Sequence, residues 1–88
     1  MKEKKLERIY KALANHRRLM IVSYLKRVRQ ATVGDIAAEI KLSFNATSKH
    51  LGILAGVGIL DREQKSLMVF YSLALVLPAP AKHAVSIL

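Results

Sequence analysis

The chain lacks cysteine altogether, and only 6 of its 88 residues are acidic. Without cysteine it can form no disulfide, bind no metal through a thiolate and use no thiol as a nucleophile. No apolar run reaches the roughly 18 residues that a membrane span requires. The basic start of the chain is not followed by an apolar segment or a cleavage site of small residues, so it is not a secretory signal. We therefore expect a cytoplasmic protein that does not enter a membrane.

The acidic residues also lack the grouping that an enzyme active site requires. They are scattered over positions expected to be exposed or to cap helices: Glu3, Glu7, Asp35, Glu39, Asp61 and Glu63. Ser48 and His50 lie on one predicted helix but diverge by about 200° around its axis, so they make a poor nucleophile and base. Gly52, Gly56 and Gly58 lie inside or after that helix and form no phosphate-binding loop. The sequence predicts no enzyme activity and no cofactor.

Basic residues are abundant by contrast. Lys and Arg total 15, which gives a formal net charge of +9. Such an excess favours a polyanionic partner, and duplex DNA is the first candidate. A domain that is merely basic and soluble is the alternative. The length predicts one domain, residues 1–88, whose small core is expected to need a partner for support.

Hydrophobic periodicity predicts an amphipathic first helix over residues 3–14 and a well-buried second helix over about 16–28. Asn15 is the expected N-cap of the second helix. Thr32 then caps the third helix, with Asp35 three residues on in a capping-box arrangement. The basic residues that end the second helix either complement its dipole or contact phosphate.

A helix-turn-helix pattern follows. The third helix carries an apolar face at i, i+3, i+4, i+7 spacing, at Val33, Ile36, Ala37 and Ile40. After a turn at residues 41–43, a fourth helix is expected at about 44–57, with Ser43 as its cap and Gly58 as its left-handed exit. The opposite side of this helix is polar and is the candidate base-reading surface.

Two segments rich in β-forming residues, 59–64 and 67–73, then predict an antiparallel hairpin. Because the turn contains no glycine, we expect a loop longer than two residues. One of the aromatic residues Phe70 and Tyr71 is expected to be exposed or covered by a partner. In the tail, residues 81–88 after the prolines form a short helix or fray.

Helix, turn, helix and hairpin in a basic domain is the order of a winged helix-turn-helix. The predicted fold class is mainly α with a β-hairpin, in the order α-α-α-α-β-β with a short C-terminal α segment. The major groove of DNA admits one α-helix, here the recognition helix at about 44–57, and the wing at about 59–73 lies on the backbone or in the minor groove. The predicted DNA-binding residues are Ser43, Phe44, Asn45, Ser48, Lys49, His50, Arg62 and Lys65.

Several of these residues have two possible roles. Asn45 can pair with adenine, and Lys49 can reach guanine acceptors or contact only phosphate. Phe44 either meets a thymine methyl group or packs against the first helix of the motif. His50 either donates to a phosphate when protonated or is partly buried and neutral.

Two further basic groups are also open to two interpretations. Arg62 and Lys65, near the hairpin tip, fit contacts to DNA, but charges there can simply protect the sheet edge from aggregation. His16, Arg17 and Arg18 open the second helix, where cations oppose the helix dipole. A bound phosphate would relieve that conflict.

Four stretches together resemble the ArsR/SmtB family of dimeric winged-helix repressors, over roughly residues 11–73: KALANHRRLMIVSYL, TVGDIAAEIKLSFNATSKHLGIL, AGVGILDREQ and MVFYSL. Three short motifs carry the likeness: Ala12-Leu13-Ala14-Asn15 with Arg18, Leu42-Ser43 with Ser48-Lys49-His50-Leu51, and Val69-Phe70-Tyr71. The resemblance implies a homodimer. It places residues 1–14 and 74–88 at the interface and two recognition helices in successive major grooves.

Metal-sensing members of the family carry a Cys-Val-Cys pattern where this chain has Thr32-Val33-Gly34. A second family site uses Asp and His pairs on the terminal helix, where this chain offers only His83. A single histidine does not make a metal site, so we expect no metal. The turn glycine common in the family is Lys41 here, and a left-handed backbone at that residue would cost roughly 1 kcal/mol.

These observations predict a sequence-specific, double-stranded DNA-binding transcriptional regulator, in the form of a dimeric repressor. One alternative is a winged-helix module that binds other proteins. Its affinity for DNA would not fall steeply as salt rises. The other alternative is a nonspecific architectural DNA binder, which would show little preference between a selected site and random DNA.

Overall fold

The computed structural model describes residues 1–88 as five helices and three strands. In chain order these are α1 (Glu3–Leu13), α2 (His16–Val28), β1 (Gln30–Thr32), α3 (Val33–Ile40), α4 (Phe44–Gly56), β2 (Leu60–Lys65), β3 (Met68–Leu73) and α5 (Ala79–Ile87). The predicted order of helices and hairpin is confirmed. The strand β1 is an addition, because three residues are too few to give a recognisable pattern.

Local backbone signals set the boundaries of the central helices. Asn15, Thr32 and Ser43 each accept a hydrogen bond from the backbone N–H three residues on, at 3.1, 3.2 and 3.2 Å. Each such cap is worth about 1 kcal/mol. Lys41 ends α3 in the left-handed region, with φ 55° and ψ 52°, and Gly58 follows α4 with φ 79°. The predicted caps and left-handed positions are therefore confirmed.

The three strands form an antiparallel sheet in the order β1-β3-β2. Strands β2 and β3 pair along their full length, and only Ser66 and Leu67 lie between them. The prediction of a longer loop is therefore wrong. Ser66 takes φ 59°, so the first turn residue has the positive φ of a type II′ turn although it is not glycine. Continuous pairing of the two strands holds this residue in place.

The core lies where the helices meet the inner face of the sheet. Its largest fully buried side chains come from α1, α2, α3, α4 and the entry to β2: Ile9, Ile21, Leu25, Ile36, Ile40, Leu51, Leu54 and Ile59. The expectation that α2 is central is confirmed by the complete burial of Ile21 and Val22. Tyr71 faces the core from β3, whereas its neighbour Phe70 lies on the outer face of the sheet.

The tail forms an ordered helix, which begins two residues earlier than predicted. Pro80 lies in the first turn of α5, where its missing N–H breaks no helical hydrogen bond. Ala81 is fully buried, and the Lys26 ammonium donates to the carbonyl of Val85 at 2.8 Å. None of the five helices is long and apolar enough to cross a membrane.

Thr47 is the one polar side chain in the core, fully buried and without a hydrogen-bond partner for its Oγ1. An unpaired buried hydroxyl costs about 1–3 kcal/mol. We expect Thr47→Val, which keeps the branched shape, to raise the free energy of unfolding by about 1 kcal/mol in urea titrations. Thr32→Val is the matched control and should lower it by about 1 kcal/mol, because that hydroxyl caps α3. A loss of stability in Thr47→Val would mean that its hydroxyl does have a partner.

Candidate nucleic-acid interface

The helix α4 turns a polar surface to solvent on the side opposite its buried residues. Asn45, Ser48 and Lys49 are all exposed there, and we call these three residues the reading face. Phe44, the first residue of the helix, is 59% exposed. Most of its ring is therefore accessible. Ser43 uses its oxygen to accept the capping bond at 3.2 Å, which leaves its hydroxyl hydrogen as the free donor.

The two predicted wing cations lie on opposite faces of the sheet. Arg62 is directly opposite the buried Tyr71 in the strand register, so it shares the face that is turned towards α4. It borders a groove together with Phe44 and Ser48. The structure therefore brings Arg62 together with the start of the recognition helix.

Lys65 lies on the outer face, away from that groove. Its ammonium is 3.3 Å from Glu63 Oε1 and donates to Gln30 Oε1 at 3.2 Å. It also sits 5.3 Å from the centroid of the Phe70 ring, within cation–π range. These contacts are all exposed. They hold the charge over the outer face of the sheet.

Arg18 connects α2 to two other helices. Its Nε donates to the carbonyl of Ala12 at 2.6 Å and its Nη2 to that of Lys11 at 3.1 Å. Its Nη1 is 3.1 Å from Nδ1 of His50 on α4. A single guanidinium therefore binds the last turn of α1 and the recognition helix together.

Arg17 plays the same part at the end of α3. Its Nη1 donates to the carbonyl of Ile40 at 2.7 Å and to that of Lys41 at 3.3 Å. Cations complement the negative C-terminal end of a helix dipole. The two arginines that oppose the dipole of α2 thus stabilise the ends of α1 and α3. The conflict with the dipole does not need a bound phosphate at Arg17 and Arg18, whose partners are main-chain carbonyls, and phosphate binding there stays a prediction.

The surroundings of His50 favour its neutral form. Burial lowers its pKa below the ordinary 6.5, and the positive charges of Arg18 and then Arg17 lower it further. Because Nδ1 faces the Arg18 donor, we assign the imidazole proton to Nε2. This arrangement favours the alternative in which His50 is partly buried and neutral, and its role in binding DNA stays a prediction. A neutral Nε2–H donor remains.

The lowered pKa of His50 predicts a pH dependence of stability. The unfolded chain protonates His50 more readily than the folded chain does. The stabilisation that comes from neutral His50 is therefore complete above pH 6.5 and is lost as pH falls through the lower pKa of the folded state. His50→Gln can still accept from Arg18 but cannot titrate. We expect urea titrations at pH 7.5 and about pH 5.5 to show a smaller loss of stability in the variant than in the wild type. An equal loss in both proteins would contradict the assignment.

No group of three or more His, Asp or Glu side chains lies close enough together to hold a metal ion. The start of α3, where the resemblance described above would place the cysteines of a metal sensor, is occupied by the Thr32 cap, whose oxygen accepts from the N–H of Asp35 at 3.2 Å. This position has a structural role in the helix-turn-helix motif.

Comparison with known proteins gives the family. Residues 15–62, more than half of the chain, match the bacterial regulatory proteins of the arsR family. The chain belongs to the ArsR family. The transcriptional activator HlyU of Vibrio cholerae serotype O1 is 35% identical over 66 residues, which cover 75% of this chain and 60% of HlyU. The match therefore spans less than two thirds of that relative.

Solved structures of other regulators share the fold of this ArsR-family chain. Reduced HlyU from V. cholerae has a TM-score of 0.79 at 30% identity and covers 96% of this chain and 84% of its own. The transcriptional repressor BigR from Xylella fastidiosa has a TM-score of 0.78 at 26% identity, and the match covers 96% of this chain and 82% of BigR. The homodimeric winged helix-turn-helix DNA-binding domain of Mb0332 from Mycobacterium bovis has a TM-score of 0.80 at 24% identity. This match covers 96% of this chain and 74% of the Mb0332 domain. The predicted winged-helix fold is confirmed.

Proposed function

We propose that this ArsR-family protein is a dimeric transcriptional regulator that binds specific sequences in double-stranded DNA. The observation that carries the proposal is the position of Arg62 beside the start of α4, on the same groove as Ser48 of the reading face. A helix for the major groove and a wing cation thus face one side. The net charge of +9 supports a polyanionic partner.

In the proposed complex the reading face lies in the major groove. Asn45 pairs with adenine through its amide, and Lys49 reaches guanine acceptors, each pair contributing about 1–3 kcal/mol of discrimination. Ser48 donates to a base edge, and Phe44 meets a thymine methyl group. These residues supply the sequence preference.

Other residues hold the protein on the sugar-phosphate backbone. Ser43 and His50 donate to phosphates through the hydroxyl hydrogen and the neutral Nε2–H. Arg62 contacts the backbone or the minor groove beside the wing. Lys65 can join it only by leaving its exposed contacts with Glu63 and Gln30, which are weak enough to exchange.

The proposed dimer uses residues 1–14 and 74–88. A groove between α1 and α5 is lined by Leu6, Tyr10 and Pro80, and Tyr10 is 55% exposed. Apolar side chains grouped in this way are typical of protein interfaces. The M. bovis relative is described as homodimeric. A second copy of the chain would cover the groove and present two recognition helices to one DNA site. The family resemblance favours a repressor that acts in the cytoplasm.

Selection of binding sites from a random duplex library tests the proposal directly. We expect an enriched sequence, an affinity that falls steeply with salt, and a dimer by light scattering. Equal affinity for selected and random DNA would favour a nonspecific architectural protein. No salt-dependent binding would favour a protein-interaction module. A monomer at tens of micromolar would contradict the dimer.

A further inference from the structure

An apolar residue occupies the tip of the wing. We define the wing tip as Ser66, Leu67 and Met68. Leu67 is 95% exposed and Met68 is 52% exposed, so contacts within the chain do not account for either side chain. A wing that only followed phosphates would gain nothing from these residues, because they offer no donor and no charge.

The wing tip lies on the same side of the molecule as the proposed DNA contacts. Leu67 lines the groove that Phe44, Ser48 and Arg62 also border. The tip is therefore continuous with the surface that faces DNA in the proposed function. Its backbone is well defined, since the turn has only two residues and the strands pair up to it.

We propose that Leu67 enters the minor groove as an apolar wedge, partly unstacks one base step and bends the duplex. Leucine and methionine are among the side chains that proteins insert between base steps in this way. Arg62 on the inner face of the same hairpin contacts the flanking phosphates. The inference rests on the proposed function, and adds to it a residue that reads DNA deformability.

The wedge has a consequence for the DNA sequence. Pyrimidine–purine steps such as TA and CA/TG unstack easily, whereas A-tracts are stiff. A selected site should therefore carry a flexible step beneath each wing, at a position that no polar side chain contacts. Sequence preference at that position comes from the cost of deforming the DNA.

Three measurements on a selected site test this role, with Leu67→Ser as the variant and Leu67→Met as the matched control that keeps an apolar tip. The first is the bend angle from permuted-site gel shifts, and the second is the fluorescence of 2-aminopurine at the step. The third is affinity. The wild type should bend the site and raise the 2-aminopurine fluorescence on binding. We expect Leu67→Ser to reduce both the bend and this rise in fluorescence, and to weaken binding about tenfold. Leu67→Met should retain all three.

A double-mutant cycle that changes Leu67 and the DNA step tests whether the two act on each other. Replacing the flexible step by an A-tract step should weaken the wild type and leave Leu67→Ser almost unaffected, because the serine variant no longer deforms that step. Since Leu67 is exposed, thermal melting should be the same for all variants.

Each other outcome overturns the inference. If Leu67→Ser binds and bends DNA like the wild type, the wedge is wrong while the proposed function stands. If it changes the oligomeric state and leaves the bend unaltered, the tip is a contact between copies of the chain. If the wild type shows no salt-dependent DNA binding at all, the wedge fails together with the proposed function.

Discussion

Replacing Lys49 and Arg62 together by alanine is expected to lower affinity for a selected DNA site by a hundredfold or more. A good contact from Lys49 to a base is worth about 1–3 kcal/mol. Arg62 adds a contact to the backbone or the minor groove, and a dimer loses both residues twice. Removing a phosphate contact also reduces the slope of log affinity against log salt concentration by about one unit. Gel-shift or fluorescence titrations at several salt concentrations measure both quantities.

The single variants separate the two roles open to Lys49. If Lys49 reads a base, Lys49→Ala should weaken the selected site more than random DNA. If it contacts only phosphate, both should weaken equally, with a shallower salt slope. The matched control for the arginine is Arg27→Ala, which removes an arginine from the end of α2, where its ion pair with Glu39 is exposed. Unchanged binding in the Lys49 and Arg62 double variant would show that α4 and the wing do not dock on DNA.

Arg18→Ala is expected to lower the free energy of unfolding by on the order of 3 kcal/mol. Hydrogen bonds from a charged donor contribute about 1.5–3 kcal/mol each, and this side chain makes three. Its removal leaves the carbonyls of Lys11 and Ala12 without their donor. Such a loss is a large part of the 5–15 kcal/mol typical of a small domain. Urea titration followed by circular dichroism measures it.

Two further variants test the explanation of the Arg18 effect. Arg18→Lys keeps the charge but lacks the planar fork, so it should recover only part of the stability. Arg8→Ala removes an exposed arginine of α1 and should change stability by less than about 0.5 kcal/mol. In folded Arg18→Lys the pKa of His50 should remain lowered, because burial is its largest cause. Wild-type stability in Arg18→Lys would show that the fork geometry is unimportant.

Features encoded by neighbouring residues were predictable from the sequence. The caps at Asn15, Thr32 and Ser43 act over three residues, and the buried faces of α3 and α4 follow the helical period. The left-handed Lys41 followed from the family resemblance. These local rules were enough to give the order of elements and the boundaries of the recognition helix.

Features that depend on distant partners were not predictable. Strand β1 exists because Gln30–Thr32 pairs with Phe70–Ser72, about 40 residues away. The short turn at Ser66 is imposed by pairing along the whole hairpin, against the residue preference. The acceptors of Arg17 and Arg18 are main-chain carbonyls, which no sequence pattern marks. Of the candidate site, the sequence predicted which residues are exposed on α4, and their roles in binding DNA stay predictions.

The hydrogen bonds of Arg18 also constrain the spacing of the two recognition helices in the proposed dimer. Two recognition helices on one face of DNA must lie about 34 Å apart, one helical turn of the duplex. The guanidinium fixes α1, at the proposed dimer interface, to α4 through contacts of 2.6–3.1 Å. The guanidinium therefore couples the position of α1 to that of α4. Any ligand or partner that changed the packing of α1 would alter the spacing of the two reading helices, and with it the fit to DNA, without touching the DNA surface.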